Sequence, residues 1–144
     1  MVSHLSGLAE MHLEPTLRLT HRAALAMLEA AVSRAEALGQ PQCVVIVDAS
    51  GVVVAQLRMT GAKFLSLKSA RAKARTAAST GAPSGDIPAA VAPAIGAATE
   101  GDMTGLAGGF PILADGNLVG GIGIGSGSPD QDCEVALAAL SALK

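Results

Sequence analysis

The spacing of apolar and polar positions divides the chain into short, well-marked elements. Between His21 and Leu38 the residues Ala24, Leu25, Leu28, Ala31, Val32, Ala35 and Leu38 recur at helical intervals. Thr20 is placed to cap this helix, Gly39 suits the position just past its end, and Pro41 blocks its continuation. Cys43-Val44-Val45-Ile46-Val47 is a β-branched run, and Val52-Val53-Val54-Ala55-Gln56-Leu57 follows Asp48-Ala49-Ser50-Gly51, which predicts a hairpin. Neither run alternates cleanly, so both strands read as central. A second helix is predicted over 63–79, with Leu67, Ala70, Ala74, Ala77 and Ala78 as its apolar stripe. Lys68, Arg71 and Arg75 fall on the opposite side of that helix and read as a solvated face.

From Pro83 to Gly109 the pattern breaks up, with Pro83, Pro88, Pro93 and six glycines. This stretch reads as the rim of a site, with one short Ala-rich helix between Ile87 and Ala98. A second hairpin follows: Phe110 to Ala114, the turn signal Asp115-Gly116, then Leu118 to Ile124. Its second strand alternates Gly with Ile, which leaves one face nearly bare backbone. Ser128-Pro129-Asp130-Gln131 combines an N-cap Ser, Pro at the first helical position and Gln at the third, a strong start for a helix to Leu143. The predicted order α-β-β-α-(α)-β-β-α describes an α+β fold, an antiparallel sheet flanked by helices. Residues 1–15 are expected to form a disordered leader and residues 16–144 a single domain.

Composition narrows the function classes. Half of the 144 residues are hydrophobic, 15% are charged and the formal net charge is −2. That excludes a disordered chain and argues against a nucleic-acid partner, because no cationic excess exists to neutralise phosphates. Only 1% of the residues are aromatic, with no Trp and no Tyr, so base-stacking platforms and aromatic cages are unavailable. A core of Ala, Val, Leu, Ile and 17 Gly buries little area per residue, which favours a homo-oligomer. No run of apolar residues is long enough for a membrane span, and the first 14 residues lack a signal-peptide core, so a cytoplasmic address is expected. Cys43 and Cys133 belong to no CxxC and read as buried small hydrophobes.

Six of the ten basic residues, Arg58, Lys63, Lys68, Arg71, Lys73 and Arg75, lie close together, and no acidic residue occurs between Asp48 and Asp86. Segregation this sharp points to a small anionic ligand. Lys73 falls on the flank of its helix, where its stem can follow the sheet and its ammonium reach a pocket. Arg58 ends its strand just before Thr60-Gly61, placed to meet a carboxylate bidentately. His4, His12 and His21 fit no zinc spacing; His21, just inside the first helix, is a candidate axial metal ligand or general base. Met59 and Met103 are soft potential ligands, with Thr60 and Thr104 as hydroxyl alternatives. The run Gly120 to Gly127 has GxGxG spacing but sits within a strand, outside the βαβ context a dinucleotide site requires.

Several segments together resemble a known family. They are Val47-Asp48-Ala49-Ser50-Gly51, Arg58-Met59-Thr60-Gly61-Ala62, Lys73-Ala74-Arg75-Thr76-Ala77, Gly108-Gly109-Phe110-Pro111-Ile112, Gly120-Gly121-Ile122-Gly123-Ile124 and Gln131-Asp132. In this order, over residues 16–143, the chain resembles the haem-binding or haem-degrading family of the GlcG and HbpS proteins and the C-terminal domain of PduO-type proteins. The resemblance implies a profilin-like fold, symmetric oligomers up to octamers and, for some members, haem binding. It implies a ligand site at Arg58, Thr60, Gly61, Lys73, Gly109 and Pro111. Thr60 stands where relatives usually have Asp, and Gly125 where they usually have Ser. The resulting expectation is an oligomeric small-ligand-binding protein with haem as the leading ligand. The alternatives are an enzyme of small-molecule catabolism acting on a carboxylate-bearing substrate through Lys73 or His21, and a non-catalytic partner of catabolic enzymes.

Overall fold

A computed structural model describes residues 7–144. The part of the leader within that range contains a short helix, α1 (Gly7–His12), while His4 lies outside the described residues. The elements that follow are α2 (His21–Leu38), β1 (Cys43–Asp48), β2 (Val53–Arg58), α3 (Ser66–Thr80), α4 (Ala92–Ala98), β3 (Gly109–Ala114), β4 (Asn117–Gly125) and α5 (Pro129–Ser141). The α+β order expected from the pattern is therefore observed. Thr20 accepts from Ala23 N and Gly39 adopts φ 67° at the two ends of α2. The Ser128–Gln131 capping box starts α5. Asp115 and Gly116 take φ 50° and 80°, the left-handed pair that a tight hairpin turn demands. The Ala-rich helix α4 starts only at Ala92, after the Pro88 segment.

All strand pairs are antiparallel and the sheet order is β2-β1-β4-β3. The hairpin β1–β2 thus has one central strand and one edge strand, which corrects the expectation of two central ones. β1 is buried from Cys43 to Val47, whereas Gln56, Leu57 and Arg58 at the end of β2 are exposed. One face of the sheet, bearing Val44, Ile46, Ile112, Ile122 and Ile124, packs on Ala24, Met27, Ala31 and Ala35 of α2 and Val135, Ala136 and Ala139 of α5. The other face, bearing Cys43, Val45 and Val47, packs on Ala70, Ala74 and Ala78 of α3.

The bare glycine face of β4 belongs to this second interface. A Cβ on Gly121 or Gly123 would land on the carbonyl oxygen of Ala74 or Ala70. The glycines exist because α3 lies directly on the strand backbone. That close approach lowers α3 onto the sheet and brings the residues of its flank, Lys73 among them, against the ends of β3 and β4.

Candidate functional site

Lys73 is only 5% exposed. Its Nζ donates to the Ile124 carbonyl at 2.7 Å and to Asp132 Oδ2 at 2.8 Å. The other carboxylate oxygen of Asp132 accepts from Gly127 N at 3.0 Å, so the ion pair ties α3 to the turn between β4 and α5. Gly108 must be glycine here: it adopts φ +120°, and a Cβ would come within 3.1 Å of Lys73 Nζ and 2.9 Å of Asp132 Cβ. Above the pair opens a cleft of about 250 Å³ walled by Lys63, Ser66, Ser69, Ser126 and Leu106. Ser126, at φ 88°, accepts from Lys63 N at 2.9 Å and donates to Ser66 Oγ at 3.1 Å. Gln42 lies beneath this turn, fully buried, with neither amide atom hydrogen-bonded to a described residue.

Arg58 is paired in register with Cys43, hence on the α3 side of the sheet, and it is exposed. Burial pushes the Cys43 thiol up, the Arg58 charge opposes that rise and Asp132 adds to it, which places both charges within electrostatic reach of one buried sulfur. Thr60 and Gly61 continue from Arg58 around the same end, Gly61 at φ +91° against Pro41. Arg58, Thr60 and Gly61 therefore share an end of the sheet with Lys73 but form no part of the cleft wall. Gly109 is buried; its amide donates to Ser84 Oγ at 2.9 Å and its missing Cβ makes room for the Lys73 carbonyl. Pro111 lies two residues further along β3, opposite Gly121.

His21 is elsewhere. Gln40, just past the C-terminal end of α2, bonds the Ser126 carbonyl at 3.0 Å, so the exposed His21 at the start of that 18-residue helix lies about 27 Å away along its axis. It is also on the opposite face of the sheet from α3. His12, at the end of α1, is exposed as well. Among the described residues no cluster of three or more His, Cys, Asp or Glu could hold a metal ion.

The loop-rich stretch forms a larger cavity of about 670 Å³, lined by residues including Ile87, Pro88, Ala92, Pro93, Met103 and Thr104. Two buried or half-buried threonines hold its wall: Thr99 Oγ1 accepts from Met103 N at 3.0 Å, and Thr76 Oγ1 accepts from Thr104 N at 2.9 Å. Arg75 was expected on a solvated face; it instead donates to the Gly51 carbonyl and to Asp102, both at 2.9 Å, tying the β1–β2 turn to the loop that carries Met103. Haem needs a flat apolar slot, cations for its carboxylates and a donor for its iron. The loop cavity fits the first requirement in size; its lining mixes Asp86, Thr104 and three glycines with the apolar residues and includes no Lys or Arg, and Met103 offers a thioether. Met59 does not, because its sulfur accepts from Gln42 N at 3.4 Å and packs against the core. The 250 Å³ cleft falls below the roughly 300–1,000 Å³ of ordinary small-molecule sites and is too small for a macrocycle.

Sequence reasoning missed Asp132, Ser66, Ser69 and Ser126. The Gln131-Asp132 match was the one signal that singled out Asp132.

A family model described as haem degrading protein HbpS-like matches residues 19–141. The PduOC:haem complex is similar at a TM-score of 0.82 and 32% identity, over 88% of this chain and 95% of that one. A double mutant of Streptomyces reticuli HbpS matches at a TM-score of 0.84 and 34% identity, over 100% of this chain and 97% of that one. The corrinoid adenosyltransferase PduO of Citrobacter freundii is 34% identical over 137 residues, which is 90% of this chain and only 40% of the relative.

Proposed function

From the premise that the chain belongs to the HbpS-like family, we propose that it is a haem-binding protein whose macrocycle lies in the loop cavity beside Met103. The observation that carries this reading is the likeness to PduOC, a protein solved with haem, across 88% of the chain. The cavity supports it in size and in the apolar part of its lining, Ile87, Ala92 and Leu106. When bound, haem supplies an iron centre with redox and ligand-exchange chemistry. The chain's own part is to lay Ile87, Pro88, Ala92 and Pro93 against the macrocycle and to present Met103 on a backbone pinned by Thr76 and Thr99. Adenosyl transfer is not part of the proposal, since the chain spans about two-fifths of the curated relative that carries that name.

Haem titrated into the full chain and followed at the Soret band tests the reading. The expected result is a saturable one-to-one shift that His21→Ala leaves unchanged and Met103→Ala weakens and alters. No saturable shift at micromolar haem overturns it, and a spectrum altered by His21→Ala but not by Met103→Ala moves the site to the other face of the sheet.

We further infer that the protein is a homo-oligomer. Large apolar side chains stand in solvent on the outer surfaces, including Leu25 at 58%, Leu137 at 51% and both Phe64 and Leu65 at 67% exposure.

A further inference from the structure

We propose that the cleft above the Lys73–Asp132 pair is a second binding site, for a small monocarboxylate. Lys73 carries three N–H donors, and its two acceptors, the Ile124 carbonyl and Asp132, account for two of them. The third belongs to a residue that is only 5% exposed and that forms part of the cleft wall. A buried cationic donor with a proton left over is the kind of group that a ligand oxygen satisfies.

The second observation is independent of Lys73. Ser126 is a non-glycine residue held at φ 88°, a backbone conformation that persists only where its surroundings enforce it. Gln40 holds its carbonyl, and Lys63 N and Ser66 hold its hydroxyl. The Ser126 and Ser66 hydroxyls, 3.1 Å apart, share one hydrogen bond, which uses one of their two protons and leaves the other for the cleft. The strained turn therefore sets a second free donor beside the first.

Charge and size select the ligand class. Lys63 and Lys73 against Asp132 leave one net positive charge, and among the described residues Lys63 has no ion-pair partner. That balances a monoanion; a phosphate dianion would exceed it and face the Asp132 carboxylate. At about 30 Å³ per water-sized unit, 250 Å³ holds a ligand of about eight non-hydrogen atoms. Lys73 binds it as a hydrogen-bonded cation and forms no covalent bond. The site shares only the Leu106 ridge with the loop cavity, so it stands or falls apart from the haem reading.

The test is a titration of the full chain with acetate and pyruvate, read as backbone amide NMR shifts at Ser126 and Gly127. Acetamide serves as the uncharged control and inorganic phosphate as the dianion. Saturable shifts at millimolar carboxylate are expected, with little response to acetamide. Lys63→Met and Ser66→Ala, neither of which unpairs Asp132, should each weaken binding by about tenfold, the size of one charge-assisted hydrogen bond. Lys68→Met, outside the cleft, should bind as the parent does. Shifts that do not saturate, equal shifts with acetamide, tighter binding of phosphate, or unchanged affinity in Lys63→Met would each overturn the proposal.

Discussion

At Lys73 the helical period places the α-carbon between the apolar stripe and the solvent face, and a four-carbon stem can then run either way. In the structure it runs inward, to a carboxylate 59 positions further along the chain. Position on the helix was legible from the sequence; the partner was not, because Asp132 is also a good local residue for the first turn of α5 and nothing local marks its second role. Arg75 repeats the lesson in the other direction, since its opposite-face position conceals a tie between two loops. Removing one member of a buried pair strands the other, at a cost of about 3–5 kcal/mol. Lys73→Met should therefore lower stability by about that amount in urea denaturation, and adding Asp132→Leu should recover most of the loss. A single-variant loss below about 1 kcal/mol, the worth of an exposed pair, would mean that the pair is not desolvated as the structure has it.

Among the elements, α2 and α5 were legible to within a residue or two at each end because caps and period agree there. β4 was legible as a strand with one bare face, but sequence cannot say what covers that face. An alternating Gly-Ile strand and an Ala-rich helix are each short of side chains on the side where they meet, and only together do they explain each other. The backbone-on-backbone contact makes a strong prediction. Gly123→Ala places a methyl group on the Ala70 carbonyl, where neither partner is a flexible side chain. Loss of about 1–3 kcal/mol, the usual cost of overpacking, is expected in thermal or urea unfolding. Gly39→Ala is the comparison: its left-handed φ of 67° makes it strained, but nothing lies within 4 Å of the added methyl, so it should cost about 1 kcal/mol. Equal losses in the two variants would show that the α3–β4 contact is looser than drawn.

For the molecule as a whole, the layers decide which surfaces remain for other chains. α3 covers the glycine face of β4, so the proposed assembly would use the outer surfaces of the helices, the edge strands or the loop before α3. Leu25 of α2 and Leu137 of α5 are more than half exposed, on two helices that an Arg34–Glu134 ion pair at 2.8 Å links across their outer side. Phe64 and Leu65 stand exposed at the other side of the sheet, beside the polar cleft. Light scattering at micromolar protein should give several times the 14.2 kDa of one chain. Leu137→Glu reduces the mass if the helical layer is the contact, and Phe64→Glu reduces it if the loop before α3 is. A mass of 14.2 kDa for the parent protein removes the oligomer altogether.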